Sequence, residues 1–239
     1  MIYIKKQKVP PLEFIDAIKD LQSYDALQGK PRKIVEELLL NEQGGLCAIC
    51  ERSKTRFAPT IEHFMPQSVF SALELDYHNL YIACSACNEP KAHYLIPSYI
   101  FDPRFDPFYD LKNNIIPKDF KLSYHLYDEN KCTVTVQAAG QSIKKLKSEH
   151  HNAYILQSTI DLLKQNRDNE PNSLLQLRAG VYNLYMKKLP LLTEQQLKNK
   201  FTNLKKATEY PEFISMITQL YAIEFRRRKI EMPDFNEKP

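Results

Sequence analysis

Two Cys-x-x-Cys pairs, Cys47/Cys50 and Cys84/Cys87, constrain this chain more than any other feature. Regularly spaced pairs of this kind hold a zinc ion on four thiolates, and a closed tetrahedron leaves no open position for water. The expected ion is therefore structural, fastening the two ends of whatever lies between the pairs. That stretch exceeds the roughly 15–20 residues of a simple four-cysteine ribbon, so the clamp is expected to enclose a functional insert. This use of cysteine belongs to a reducing compartment, where disulfides are not expected. Cys132 stands apart in the alternating run CTVTV and reads as a small core residue.

The first residues, MIYIKKQKVPPLEF, lack the apolar core of a signal peptide, and no later run approaches the roughly 18 apolar residues of a membrane helix. A cytoplasmic location without membrane contact is expected. The chain of 239 residues carries five glycines and no tryptophan against 43% hydrophobic content, which suits a packed, largely helical protein. A net charge of +4 permits a nucleic-acid partner without requiring one.

Before the clamp, MIYIKK reads as a strand or a docked arm. Phe14, Ile15, Ile18, Leu21 and Tyr24 recur at helical spacing after Pro10-Pro11, which predicts a helix over 12–27. A second helix is expected from about Pro31 to Asn41, with Ile34, Val35, Leu38 and Leu39 inward, ending at Gly44-Gly45. Beyond the clamp, the two Phe-Asp-Pro copies at 101–107 read as a linker or wrapped arm. A β-hairpin is expected about Asp128-Glu129-Asn130. Apolar stripes then mark helices through Ile143–Leu163, Leu174–Tyr185, Leu197–Leu204 and Phe213–Phe225. Basic groups at Lys144, Lys145 and Lys147 and at Arg226–Lys229 could follow a phosphate backbone, although such runs are commonly solvated helix faces or charges favourable to a helix dipole.

Inside the clamp, Pro59–Pro66 reads as a short strand broken by Pro66. Strand alternation sends Glu62 and His63 to opposite faces, unless a strand end or bulge turns both toward one pocket. Cys84, Cys87, Asn88 and Lys91 fall at i, i+3, i+4 and i+7, one face of a helix that begins at the zinc. Asn88 could equally cap that helix, Asn79 could be a turn residue, and Lys91 a surface charge.

Taken together these residues resemble the HNH endonucleases of the ββα-metal fold. The acid and histidine of that pattern fall at Glu62-His63, the asparagine of its second strand at Asn79 in HNLYIAC, and its last position at Asn88 in CSACNEPK. Glutamate replaces the commoner aspartate and asparagine the commoner histidine, and both keep an oxygen donor suited to Mg²⁺, with Mn²⁺ as an alternative. The resemblance implies that His63 is the general base toward water, that Glu62 and Asn88 hold the catalytic cation, that Asn79 braces the loop carrying His63, and that Lys91 contacts phosphate. The strand, two helices and EQGGLCAICE before the insert, with the long helical tail after it, further resemble the PtuB nucleases of Septu anti-phage systems, including those attached to retrons.

The expected fold class is α+β, mainly α: a zinc-clamped HNH core over 44–100, preceded by a strand and helices over 1–43. A linker, hairpin and helical region over 101–239 would dock a partner. The implied partners are a nucleic-acid substrate and a PtuA-like ATPase, joined in retron systems by a reverse transcriptase and its DNA. DNA and RNA, including transfer RNA, remain equally open as substrates, since hydrolysis by activated water does not use the 2′-hydroxyl. A zinc module that only binds nucleic acid or protein is the competing class, and Glu62, His63 and Asn88 decide between the two.

Overall fold

The computed structural model describes residues 6–85, 87–88, 120–128, 131–138, 141–142 and 174–233. The chain divides into two compact units, Met1–Phe105 and Asp106–Pro239, and its class is mixed α/β with helix predominating.

In the first unit, helix α1 (Leu12–Ile18) and helix α2 (Gly29–Glu42) pack against an antiparallel pair, β1 (Pro59–His63) and β2 (Leu80–Cys84). Phe14, Leu27, Val35, Leu39, Ile61, Tyr77, Leu80 and Ile82 form one buried cluster. The N-terminal helices and the clamped insert therefore share a core, and neither face of that contact could be exposed without loss of hydrophobic burial.

The first helix is shorter than its apolar spacing predicts. It stops at Ile18, the chain is extended at Ser23, and a single 3-10 turn covers Tyr24–Ala26. Asp20, Ser23 and Asp25 cluster there, and their short polar side chains compete with helix hydrogen bonding. The turn swings Leu27 into full burial. The second helix runs close to its expected span and ends at the two glycines. Gly44 and Gly45 have φ of 60° and 76°, the N–H of Gly45 donates to Leu40 O at 2.8 Å, and that of Gly44 to Asn41 O at 3.1 Å. This pairing satisfies carbonyls that the last helical turn otherwise leaves unpaired, and glycine reaches it without a Cβ clash.

The arm before α1 docks on the same core. Lys6 donates to Glu42 at 3.1 Å and lies 4.2 Å from the Tyr77 ring centroid. Residues 1–5 and the interval 89–119, including the two Phe-Asp-Pro copies, lie outside the described residues.

The second unit contains the expected hairpin, β3 (Phe120–Asp128) with β4 (Lys131–Ala138), to which β5 (Gln141–Ser142) adds a short third strand. Cys132 is buried, with its Sγ 4.0 Å from the Met216 sulfur. Helix α3 (Leu174–Lys188), helix α4 (Glu194–Lys206) and helix α5 (Ile214–Arg227) follow. Leu197 and Phe201 of α4 and Ile217, Leu220, Tyr221 and Phe225 of α5 are buried as their spacing predicts. On α3 the inner face lies part of a turn away from the one its apolar spacing predicts: Arg178 and Ala179 are buried while Leu184 is 46% exposed. The stripe through 143–163 and the lysines at 144–147 lie outside the described residues.

The basic run after α5 has a local occupation. Arg227 and Arg228 both pair with Glu224, and Arg228 also donates to the carbonyls of Leu189, Pro190 and Leu192. Arg228 thus ties the end of α5 to the α3–α4 connection. No helix among the described residues is long and apolar enough to cross a membrane.

Candidate metal centre and the loop around His63

The first cysteine pair sits in a tight turn. Cys47 N–H donates to Arg52 O at 2.9 Å and Glu51 N–H to Cys47 O at 3.0 Å, which requires Glu51 to adopt a left-handed φ of 63°. For a non-glycine residue that conformation costs on the order of 1 kcal/mol, a strain found where the surroundings fix the backbone for a purpose. Here it folds Cys47 and Cys50 toward one point. The second pair is delivered by the end of β2 and the first helical residues after it, 85, 87 and 88.

The frames that carry the two pairs are joined directly. Gln43 is fully buried, donates to Leu46 O and Ile82 O, and accepts from Ile82 N–H at 2.7 Å. Ala48 N–H also donates to Ile82 O at 3.0 Å, and Cys84 N–H to the Cys47 sulfur at 3.4 Å.

All four cysteine sulfurs are buried and lie within 4.8 Å of one another. Cys50 Sγ and Cys84 Sγ are 3.8 Å apart, far beyond a disulfide. Four sulfurs at the Zn–S bond length of about 2.3 Å around one ion have edges of about 3.8 Å, so the set fits tetrahedral zinc. Among the described residues it is the one group of three or more His, Cys, Asp or Glu side chains arranged to hold a metal ion.

The thiols also drive one another apart in acidity. Burial pushes Cys47 well up, and hydrogen bonding with Cys47 is the first cause of the fall at Cys50 and Cys84 and of the rise at Cys87. Sulfurs this close cannot all ionise without a compensating cation. Arg52 supplies part of that compensation, donating from Nη2 to Cys84 Sγ at 3.5 Å. Its own ionisation is pushed up by the neighbouring Cys50 and Cys84, in spite of burial.

The second feature surrounds His63, the last residue of β1. His63 pairs with Leu80 and Ile61 with Ile82, all on the core face, whereas Glu62 opposes Tyr81 on the other. Strand alternation thus holds in the folded chain, and β1 by itself does not bring Glu62 and His63 onto one face. His63 is 9% exposed, and burial lowers the pKa of its imidazole. Its Nε2 lies 2.9 Å from the Glu74 carbonyl oxygen. A carbonyl can only accept, so Nε2 carries the proton in the neutral ring and Nδ1 carries the basic lone pair.

Asn79 occupies the 3-10 turn immediately before β2 and holds the intervening loop with its side chain. Its Oδ1 accepts from Met65 N–H at 2.6 Å, and its Nδ2 donates to Met65 O at 3.1 Å and Leu73 O at 3.0 Å. Its backbone carbonyl accepts from Phe64 N–H at 2.9 Å. The structure therefore gathers His63, Asn79 and the loop ending at Glu74 into one braced unit. Asn88 is half-buried and follows Cys87 directly, and Lys91 and His93 lie outside the described residues. His78, which matches no motif position, is bound to Asp76 and to the Gln7 carbonyl.

Three contributors escape a reading of the motif alone. Arg52 is two residues from Cys50, and a cation beside thiolates is a signal that could have been seen. Glu74 acts through its backbone, where residue type carries no information. Tyr24, whose ring meets the His63 imidazole with centroids 4.5 Å apart, is far away in sequence and gives no local sign.

Fold and site together define a mixed α/β protein whose first unit is fastened by a candidate four-cysteine metal centre. No protein-family model matches the chain, and no curated protein matches it either.

Proposed function

We propose that this chain is a metal-dependent endonuclease with a zinc-fastened HNH-type core. The observation that carries the reading is the setting of His63: a buried histidine at a strand end, its tautomer set by the Glu74 carbonyl and its loop braced by Asn79. In this tautomer Nδ1 takes the proton of a water molecule as that water attacks phosphorus, and a ring kept neutral by burial is poised to do so near pH 7. Zinc on the four cysteines holds the frame and takes no part in the chemistry.

Glu62 and Asn88 are oxygen donors and would hold a divalent cation of the Mg²⁺ type, for which such donors are suited. When bound, that ion supplies positive charge to the phosphate undergoing substitution. Lys91 would contact a neighbouring phosphate. The biological setting we assign is that of an anti-phage effector of the Septu type, docked through its C-terminal region on a PtuA-like ATPase, with or without a retron reverse transcriptase and its DNA.

The burial of His63 is also what a zinc module that merely binds nucleic acid or protein would display. Labelled DNA and transfer RNA, incubated with the chain co-expressed with its genomic neighbours, separate the two readings. Mg²⁺-dependent cleavage of either polymer supports the nuclease, and the polymer cut names the substrate. Binding without cleavage in the full assembly, with Mg²⁺ and Mn²⁺ each supplied, supports the module.

A further inference from the structure

We propose that Tyr24, from the turn between α1 and α2, is a positioning residue for His63, making the N-terminal helices part of the site's working parts. The inference rests on the reading of His63 as the general base.

An imidazole ring turns easily about its last side-chain torsion, whose energy wells are broad. The hydrogen bond at Nε2 fixes that atom and by itself leaves the ring plane able to rock about the N···O line. The Tyr24 ring closes off that motion: it packs edge to face with the imidazole at an interplanar angle of 75°. Such edge contacts are directional as well as apolar.

Tyr24 is itself held from two sides. Its hydroxyl reaches the Ile61 carbonyl at 3.4 Å, two residues before His63 on the same strand. The Arg32 guanidinium lies 5.9 Å from its ring centroid, and Arg32 is anchored on α2 by Glu36 at 2.8 Å. The hydroxyl contact is long, so the ring should do most of the positioning. That ordering separates Y24F, which keeps the ring, from Y24L, which fills similar space without a plane.

The test uses the full chain in its active assembly and reads both the ring and the rate. Nitrogen NMR of the His63 imidazole in the wild-type chain should show one tautomer, protonated at Nε2, with proton contacts to the Tyr24 ring. In Y24L the imidazole should keep its proton on Nε2 but lose its fixed orientation, read as averaged proton contacts of its ring carbons, and kcat should fall about 10- to 100-fold with KM little changed, as expected for a misplaced base. Y24F should restore both readings.

Y24L with a wild-type imidazole spectrum and wild-type kcat would overturn the proposal. So would a wild-type His63 imidazole without proton contacts to the Tyr24 ring, a result that needs no variant to fold. H63A tests the underlying reading separately: if it cuts as fast as wild type, His63 is not the base, while the imidazole spectra still decide whether Tyr24 positions it.

Discussion

Asn79 and Met65 are locked in a two-way hydrogen bond, with Asn79 Oδ1 accepting from Met65 N–H and Asn79 Nδ2 donating to Met65 O. An amide can do both at once, and no other side chain of this size offers donor and acceptor in the same plane. N79D keeps the acceptor and sets a carboxylate oxygen against the carbonyls of Met65 and Leu73. We therefore expect N79D to be at least as destabilising as N79A, each by about 1–3 kcal/mol in urea unfolding, because partly buried carbonyls lose their donor. An N79D chain as stable as wild type would mean that the brace is dispensable.

The sulfur cluster predicts one zinc per chain, measured by elemental analysis of the purified protein. C84S should lose the metal and unfold the first unit, because burial of these thiols depends on the cation they share. R52A should keep zinc but release it faster to a chelator in the presence of a thiol-modifying reagent, since the donor to Cys84 Sγ is gone. Full zinc retention in C84S would contradict the four-sulfur assignment.

Lys6 and Glu42 form a pair with side chains 4% and 14% exposed, and Tyr77 donates its hydroxyl to the same carboxylate. Burial lowers the Lys6 ammonium from 10.5 to about 8, against the attraction of Glu42. Between these two values the unfolded chain binds the additional proton, so this residue makes stability rise with pH from about 8 to 10.5, and its burial cost is fully present below pH 8. The stability of wild type relative to K6M should climb across that window. At pH 7 E42A, which strands the buried ammonium, and K6M, which strands the buried carboxylate, should each cost about 3 kcal/mol, whereas the paired replacement K6M/E42Q should cost less.

What the sequence made legible follows from how local each signal is. The glycine stop after α2, the hairpin about residue 128 and the buried stripes of α4 and α5 depend on nearest neighbours and periodicity, and they were readable. The early end of α1 was not, because its spacing continues through Tyr24 while the packing needs of Leu27 and the polar residues at 20, 23 and 25 override it. Spacing alone places Leu184 inward, yet the burial of Arg178 and Ala179 sets a different inner face. Arg228 reads from the sequence as a phosphate ligand or a dipole charge, since its three carbonyl acceptors come from a connection more than thirty residues earlier. At the candidate site the four cysteines and the Asn79 side chain were marked by residue type, whereas the Glu74 carbonyl and the Tyr24 ring arise only from the fold.

The central claim is that His63 carries the chemistry while zinc carries the frame. Its most direct measurement is the rate of Mg²⁺-dependent phosphodiester cleavage by H63A beside wild type, in preparations matched for zinc content and circular dichroism. The account predicts that cleavage by H63A falls at least about a hundredfold, the usual contribution of a general base, with the zinc undisturbed. Cleavage at the wild-type rate by a zinc-replete H63A chain would contradict it.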